Sequence, residues 1–410
     1  MISRKIETPL REALADTPVV LLQGARQTGK TTLIREGFIA RHDRLYLSLD
    51  DLTVLSIARE DPQGFIAGLQ GDVALDEVQR VPQLALAIKR QVDRDRRPGR
   101  FLLTGSARVL SLQPFPDALV GRMQALTLWP LTQGEIHDSR DGFIDRLFAA
   151  EPLTPGAGIF NREEYVSRAM TGGFPEAVGR TSDRRRSAWF EAYLSTLVQR
   201  DVTDLARLEH LATMPGLLRV LASRSAGMLN TSALSREVGI PNATLVRYLA
   251  LLEALFCIVR IPAWSVNLGK RAVKSPKVLF ADSGLLAFLL GLEAGRLDSY
   301  PIESGRLLET FVGGELIRQL TWSETRGTLY HFRTHAGREV DFVIEDARGR
   351  LVGVEVKASA SVGAGDFVGL KALREACPKR FLRGVIMYSG SEVINLGDQL
   401  QAVPLAEIWM

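Results

Sequence analysis

Apolar and polar positions follow different rhythms in successive parts of this chain. Toward the amino terminus, short apolar runs are separated by helical stretches. Pro18–Gln23 reads as a buried strand, and Thr32-Leu-Ile-Arg-Glu36 as the helix after it. Arg44–Asp50 alternates polar and apolar residues, which predicts a second strand ending at the acidic pair Asp50-Asp51. Asp72–Val78 predicts a third strand, Phe101-Leu-Leu103 a fourth and Leu126–Leu131 a fifth. Strands spaced by helices predict a mostly parallel α/β sheet with its ligand at the strands' carboxyl ends.

The middle of the chain is helical. Glu151–Gly158 is a Pro/Gly-rich break, and Thr171-Gly-Gly-Phe-Pro-Glu176 reads as a turn between helices. Trp189–Val198 predicts a helix that leads into Gln199–Asp204, where Arg200 and Asp201 suit either a nucleotide-state sensor or a helix-cap ion pair. Asn230–Ala250 reads as helix, Gly-Ile-Pro turn, helix, with Leu234, Val238, Leu245 and Leu249 at helical spacing. With the strand Ile258–Pro262 behind it, this predicts a winged helix. Its second helix offers Asn242, Thr244 and Arg247, one cation among three, so a structural or protein-contact role is favoured over base readout. Lys270–Lys277 is a more basic loop, suited to a phosphate backbone or simply to solvent.

Toward the carboxyl terminus, Gly305–Ile317 predicts a helix carrying Glu309 and Glu315, and Glu309 shares a face with Val312 and Leu316. Thr328–Arg333 predicts a strand. Glu339–Ile344 and Arg350–Lys357 predict a hairpin around residues 345–349. Four regions follow: residues 1–150, a helical stretch over 151–215, a winged-helix-like region over 216–300, and an α/β domain over 301–410.

The chain has 410 residues, more than one ordinary domain needs. Apolar residues make up 46% and charged residues 24%, as in ordinary globular proteins. Two cysteines, Cys257 and Cys377, make no disulfide framework; packed thiols and a cytoplasmic location are expected. No signal peptide or membrane-length apolar run is read, so no membrane partner is expected. The net charge of +4 permits a nucleic-acid partner without requiring one.

The strongest chemical signal is Gly24-Ala25-Arg26-Gln27-Thr28-Gly29-Lys30-Thr31, which fits the phosphate-loop pattern G-x-x-x-x-G-K-[ST] between a strand and a helix. Its glycines let successive backbone N–H groups face the phosphates, with Thr32 continuing into the helix. Lys30 is expected to reach the β- and γ-phosphates of ATP, and the Thr31 hydroxyl to hold Mg²⁺. Asp76 would complete the Mg²⁺ shell, and Glu77 would polarise the attacking water. Thr104-Gly-Ser106, at the next strand's end, is placed to sense the γ-phosphate. Arg122 and Arg108 are candidate transition-state arginines, for their own subunit or a neighbour's, though a surface ion pair serves each equally well.

These motifs resemble AAA-type (AAA+) P-loop ATPases. Gly24–Thr31 stands as Walker A, Leu75-Asp-Glu77 as Walker B and Thr104-Gly-Ser106 at the sensor-1 position, where many relatives carry Asn. Leu-Thr-Gly-Ser106 and Gly-Arg122, followed by Trp-Pro-Leu131, are similar to a bacterial and archaeal subgroup. Its members join the ATPase to a C-terminal restriction-endonuclease-like domain. In that domain the set Asp341, then Glu355-x-Lys357, with Glu309 upstream, resembles the PD-(D/E)XK nuclease motif, without the Pro before Asp341. The resemblance implies that Glu309, Asp341 and Glu355 hold a second Mg²⁺ or Mn²⁺ and that Lys357 orients or deprotonates water. It also implies a nucleic-acid partner, DNA rather than RNA, and assembly as a homo-oligomer. The expected function is Mg²⁺-dependent ATP hydrolysis coupled to binding, remodelling or processing of nucleic acid. The alternative is an ATP-dependent switch or scaffold for protein partners with a silent nuclease fold.

Overall fold

The structure is a computed structural model that describes residues 2–39, 44–108, 115–139, 141–154, 156, 160–201, 211–293, 300–397 and 399–410. Two compact units emerge. One comprises residues 3–130 with Ala254–Phe256, and the other the remainder from Leu131 onward.

The first unit is built on five parallel strands: β1 (Val19–Gln23), β2 (Arg44–Ser48), β3 (Asp72–Asp76), β4 (Phe101–Gly105) and β5 (Met123–Thr127). Their order is β2-β3-β4-β1-β5. Successive strand residues point to opposite faces. Val19 and Leu21 accordingly enter one apolar core with Leu75 and Leu103, while Val20 and Leu22 enter another with Ala74 and Leu102. Both faces of β1, β3 and β4 are covered, which is why these three strands read as apolar runs. Burying a side chain such as Leu21 completely contributes about 1.5–3 kcal/mol. The fifth strand lies upstream of the expected Leu126–Leu131. Asp51 does not end a strand; it caps the helix Leu52–Glu60 by accepting the amides of Thr53 and Val54.

In the second unit, helices Arg162–Thr171, Asp183–Thr196, Met214–Ser223 and Ser283–Leu290 flank a small antiparallel sheet. That sheet comprises β6 (Gly227–Met228), β7 (Ile258–Ile261) and β8 (Lys277–Phe280) in the order β6-β8-β7. Helices Thr231–Val238 and Asn242–Ala254 lie between β6 and β7 in sequence. Asn230 caps the first of them through the Ala233 amide. Gly239 ends it with φ of 73°, which a side chain would resist.

The Gly-Gly turn is a closed joint. Leu131 N–H donates to Gly173 O at 2.7 Å, and a Cβ on Gly173 would lie 2.1 Å from Leu131 O. Asp282 accepts the amides of Gly173 (2.7 Å) and Leu285 (3.0 Å), and Arg318 donates to Leu131 O (3.0 Å) and to Glu315 (3.0 Å). The helix from Pro301 to Gln319 then leads into a mixed sheet. Its strands are β9 (Gly327–Arg333), β10 (Glu339–Asp346), β11 (Leu351–Lys357), β12 (Phe381–Tyr388), β13 (Ile394–Asn395) and β14 (Leu400–Pro404), ordered β13-β14-β12-β11-β10-β9. The β10–β11 hairpin is antiparallel as expected, and β12 runs parallel to β11. Among the described residues, no helix is long and apolar enough to cross a membrane. Cys257 and Cys377 are buried free thiols. The side chains of Arg200 and Asp201 lie outside the described residues.

Candidate nucleotide site and a second acidic corner

The loop Gly24–Thr31 leaves the carboxyl end of β1. Gly24 packs so close to Leu128 that a Cβ there would lie 2.2 Å from the Leu128 carbonyl oxygen. Gly29 has φ of 93° and begins the helix Lys30–Ile34, with the exposed Thr32 in its first turn. Gln27 takes φ of 61°, the left-handed region, at the exposed tip. Thr28 is fully buried, and its hydroxyl donates to Ala25 O at 3.0 Å. Arg26 is half-buried between these residues. Lys30 is 5% exposed, and its ammonium donates to Gly24 O (2.9 Å) and Ala25 O (2.8 Å) within the loop.

Arg4 reaches the loop from the amino-terminal segment, which sequence reasoning missed. Its guanidinium donates to Thr28 O and to Trp129 O, each at 2.7 Å. A long-range contact of this kind leaves no periodic signal in the sequence.

Because β4 lies between β3 and β1, its end faces the acids that close β3. The Thr104 hydroxyl donates to Asp76 Oδ1 and accepts the Glu77 amide at 3.1 Å. Ser106 donates to Glu77 Oε2 at 3.0 Å, and Gln79 donates to the same oxygen and to Ser106. Glu77 itself takes φ of 61°, a strained conformation found disproportionately at functional sites. Asp76 Oδ2 accepts the hydroxyls of Thr31 (3.0 Å) and Tyr46 (2.7 Å). Burial and then the Asp76 bond push the Tyr46 hydroxyl up to about 12, which keeps it a donor. Tyr46 and Gln79 were also missed; each reads in sequence as an ordinary residue of a strand or loop.

This donor set fits Mg²⁺. Adjacent oxygens in an octahedron of radius 2.0–2.1 Å lie about 2.9 Å apart, and Thr31 Oγ1 and Asp76 Oδ2 are separated by 3.0 Å.

Arg122 does not join this group within the chain. It precedes β5 at the end where β1 begins, and its backbone oxygen accepts the Val19 amide. The loop lies beyond the other end of β1, about 13 Å farther along the strands. There Arg122 pairs with Asp93 at 2.6 Å, which holds the Asp93 carboxyl below its usual range. Arg108 follows Thr104-Gly-Ser106, with its amide on Ala254 O and its guanidinium over the Phe256 ring.

In the second unit, Glu309, Asp341, Glu355 and Lys357 form an acidic corner. Asp341 Oδ2 accepts the Val356 amide at 3.0 Å, and Lys357 Nζ lies 3.4 Å from Glu355 Oε1 and 3.7 Å from Asp366. Lys277, expected in an open basic loop, is instead buried in β8. Its ammonium donates to Glu309 Oε1 and to Asp341 Oδ1, the latter at 3.0 Å. Burial alone would lower the Lys277 pKa, but Asp341 and Glu309 more than offset it and raise it. Burial, and then the Asp341 charge, push Glu309 well above the carboxylate range and Glu355 up to about 8. Glu355 Oε2 is buried without a hydrogen-bond partner. Glu315, the other acid of this helix, is fully buried against Arg318 and the Gln133 amide, apart from the corner.

The corner does not fit a divalent ion as the P-loop set does. The lysine ammonium already sits between two of the three expected ligands. Among the described residues no three His, Cys, Asp or Glu groups converge on a metal position.

Comparison with known proteins agrees with the nucleotide site. A family model described as "AAA domain" matches residues 16–137. Two further models, each described as a domain of unknown function, match residues 162–296 and 304–408. Uncharacterized proteins of Mycobacterium bovis and Mycobacterium tuberculosis are each 30% identical over 400 residues, 97% of this chain and 82% of the relative. One from Haemophilus influenzae is 22% identical over 378 residues, 85% of this chain and 84% of its own. Among solved structures, a Walker-type ATPase of Pyrococcus abyssi gives a TM-score of 0.42 at 16% identity, covering 70% of this chain and 96% of its own. RuvB of Thermotoga maritima gives 0.30 at 21% identity, covering 64% and 90%. The chain belongs to one family with the two mycobacterial proteins, and its AAA domain makes it an AAA-type, ATP-hydrolysing enzyme.

Proposed function

We propose that this chain is a Mg²⁺-dependent ATPase switch, in which hydrolysis at Gly24–Thr31 alters its hold on a macromolecular partner. One observation carries the reading: β4 ends in two hydroxyls, Thr104 and Ser106, bonded to the two acids hydrolysis needs, Asp76 and Glu77. Lys30 and the loop amides bind the β- and γ-phosphates. Thr31 and Asp76 hold Mg²⁺, which when bound neutralises charge developing on the phosphate oxygens. Glu77 orients and polarises the attacking water, and Ser106 and Gln79 fix its carboxylate. Loss of the γ-phosphate is thereby felt at Thr104 and Ser106. Arg122, remote from its own loop, serves the loop of a neighbouring copy, which makes the working form a homo-oligomer.

The surface of the middle region supports a protein partner. The helices Met214–Ser223, Thr231–Val238 and Asn242–Ala254 with the β6-β8-β7 sheet support a winged helix, yet the exposed face of the helix Asn242–Ala254 presents Asn242, Ala243, Val246, Arg247 and Ala250. One cation there is few for a phosphate backbone.

A second reading, ATP-driven binding or remodelling of DNA, draws support from the exposed Arg184 and Arg185 at the start of the helix Asp183–Thr196. The corner of Glu309, Asp341, Glu355 and Lys357 supports a restriction-endonuclease-like origin for residues 301–410. Phosphate release measured with single-stranded, duplex and branched DNA, and with RNA, separates the two readings. The switch reading expects an unchanged rate with every substrate. Stimulation of severalfold or more by any of them overturns it in favour of the nucleic-acid reading.

A further inference from the structure

Lys277 is the first residue of β8, paired in register with Met228 on β6 and Ile261 on β7. Its side chain is 5% exposed and leaves this small sheet for the acids of the α/β domain. The ammonium donates to Glu309 on the helix Pro301–Gln319 and to Asp341 on β10, and lies 5.5 Å from the centre of the Phe342 ring. The other Asp341 oxygen already accepts the Val356 amide. A second lysine, Lys357, lies between Glu355 and Asp366.

We propose that Lys277 is the resident cation of this corner, so that residues 301–410 hold a lysine where a nuclease would hold a metal ion, and do not cut. This rests on the nuclease-like reading of the corner and is independent of the ATPase.

Space and charge both support it. A Mg²⁺ or Mn²⁺ ion needs oxygen ligands at about 2.0–2.2 Å. An ammonium bonded to Glu309 and Asp341 occupies that volume and repels a dication. The exchange has a structural consequence: the corner becomes a joint between the β6-β8-β7 sheet and the mixed sheet. Removing the lysine leaves buried carboxylates without their partner, which is costly. Removing a carboxylate with it restores the balance.

The test is iron-directed cleavage of the full-length, nucleotide-free chain. Fe²⁺ with ascorbate and peroxide cuts the backbone beside bound metal. The wild type is expected to give no fragments ending near 341 or 355. Lys277→Met is expected to melt several degrees lower and to acquire those cuts, which Glu355→Gln in the same background then removes. Should Lys277→Met not fold, Lys277→Gln, which removes the charge but keeps a donor for Glu309 and Asp341 and leaves all three carboxylates in place, carries the cleavage test. Cuts near 341 and 355 in the wild type, suppressed by excess Mg²⁺, overturn the proposal. Folded wild type and folded lysine variants that all escape cutting remove the nuclease-like reading beneath it. A Lys277→Met chain as stable as wild type overturns the lysine's part in the joint.

Discussion

At the scale of single residues, the nucleotide loop is held by a side chain outside it: Arg4, twenty-four positions before Thr28, donates to Thr28 O. Hydrogen bonds from a charged donor contribute roughly 1.5–3 kcal/mol each. Arg4→Ala removes both of these, and with half of one such bond, about 0.75–1.5 kcal/mol, supporting the loop in its binding shape, the KM for ATP rises roughly 4- to 13-fold. The check is steady-state kinetics, with kcat changing less than KM. The loop itself was legible because phosphate binding fixes four of its eight residues, Gly24, Gly29, Lys30 and Thr31, at a set local spacing. Arg4, Tyr46 and Gln79 were not, since each acts through an atom brought near by the sheet order, and no spacing announces that. Lys277 reversed its reading for the same reason. The segment before it carries Lys270, Arg271 and Lys274, while its partners in space are Glu309 and Asp341.

At the scale of elements, β1, β3 and β4 were legible because burial on both faces makes them largely apolar, and β2 because its residues alternate. The fifth was displaced. Met123–Thr127 mixes polar and half-buried positions at the sheet's edge, whereas Leu128, Trp129 and Leu131 are buried and so read as the apolar run. That turn carries a direct prediction. Gly173→Ala drives a Cβ into the Leu131 carbonyl, an overlap no rotamer relieves, and is expected to cost about 3 kcal/mol. Thermal melting reads this as a drop of several degrees, and a melting curve unchanged from wild type would contradict the joint.

The pairing of His331 on β9 with the segment after β7, where its amide donates to Pro262 O and its carbonyl accepts the Trp264 amide, makes a second prediction, in pH. His331 is buried with its ring on Ser275 O, and burial, then the Lys277 charge, lower its pKa from 6.5 to about 4. Between those values the unfolded chain binds a proton that the folded chain refuses, so stability falls as pH falls through this window. The slope is at most about 1.4 kcal/mol per pH unit. His331→Gln is expected to flatten the decline in melting temperature between pH 6.5 and 5. An equally steep decline in the variant would assign the loss to other groups.

At the scale of the whole molecule, a chemical logic written in motifs at one end is joined to two regions whose roles had to be inferred from surfaces. The ATPase end was readable because its chemistry is carried by contiguous motifs: Gly24–Thr31, Asp76-Glu77 and Thr104-Gly-Ser106. The role of the remainder was not, because exposure and charge pairing decide it. Helix Asn242–Ala254 keeps the helix-turn-helix pattern while exposing Val246 at 45%, and the carboxyl-terminal acids keep their order while enclosing a lysine. The central claim is that Lys30 binds the phosphates and Glu77 drives hydrolysis. Release of inorganic phosphate from Mg²⁺-ATP, measured alongside ATP binding, tests it most directly. Wild type is expected to turn over. Lys30→Ala is expected to lose both binding and turnover. Glu77→Gln is expected to bind ATP as wild type does while losing about 10²–10⁴-fold in rate. Turnover by either variant at the wild-type rate would contradict the account.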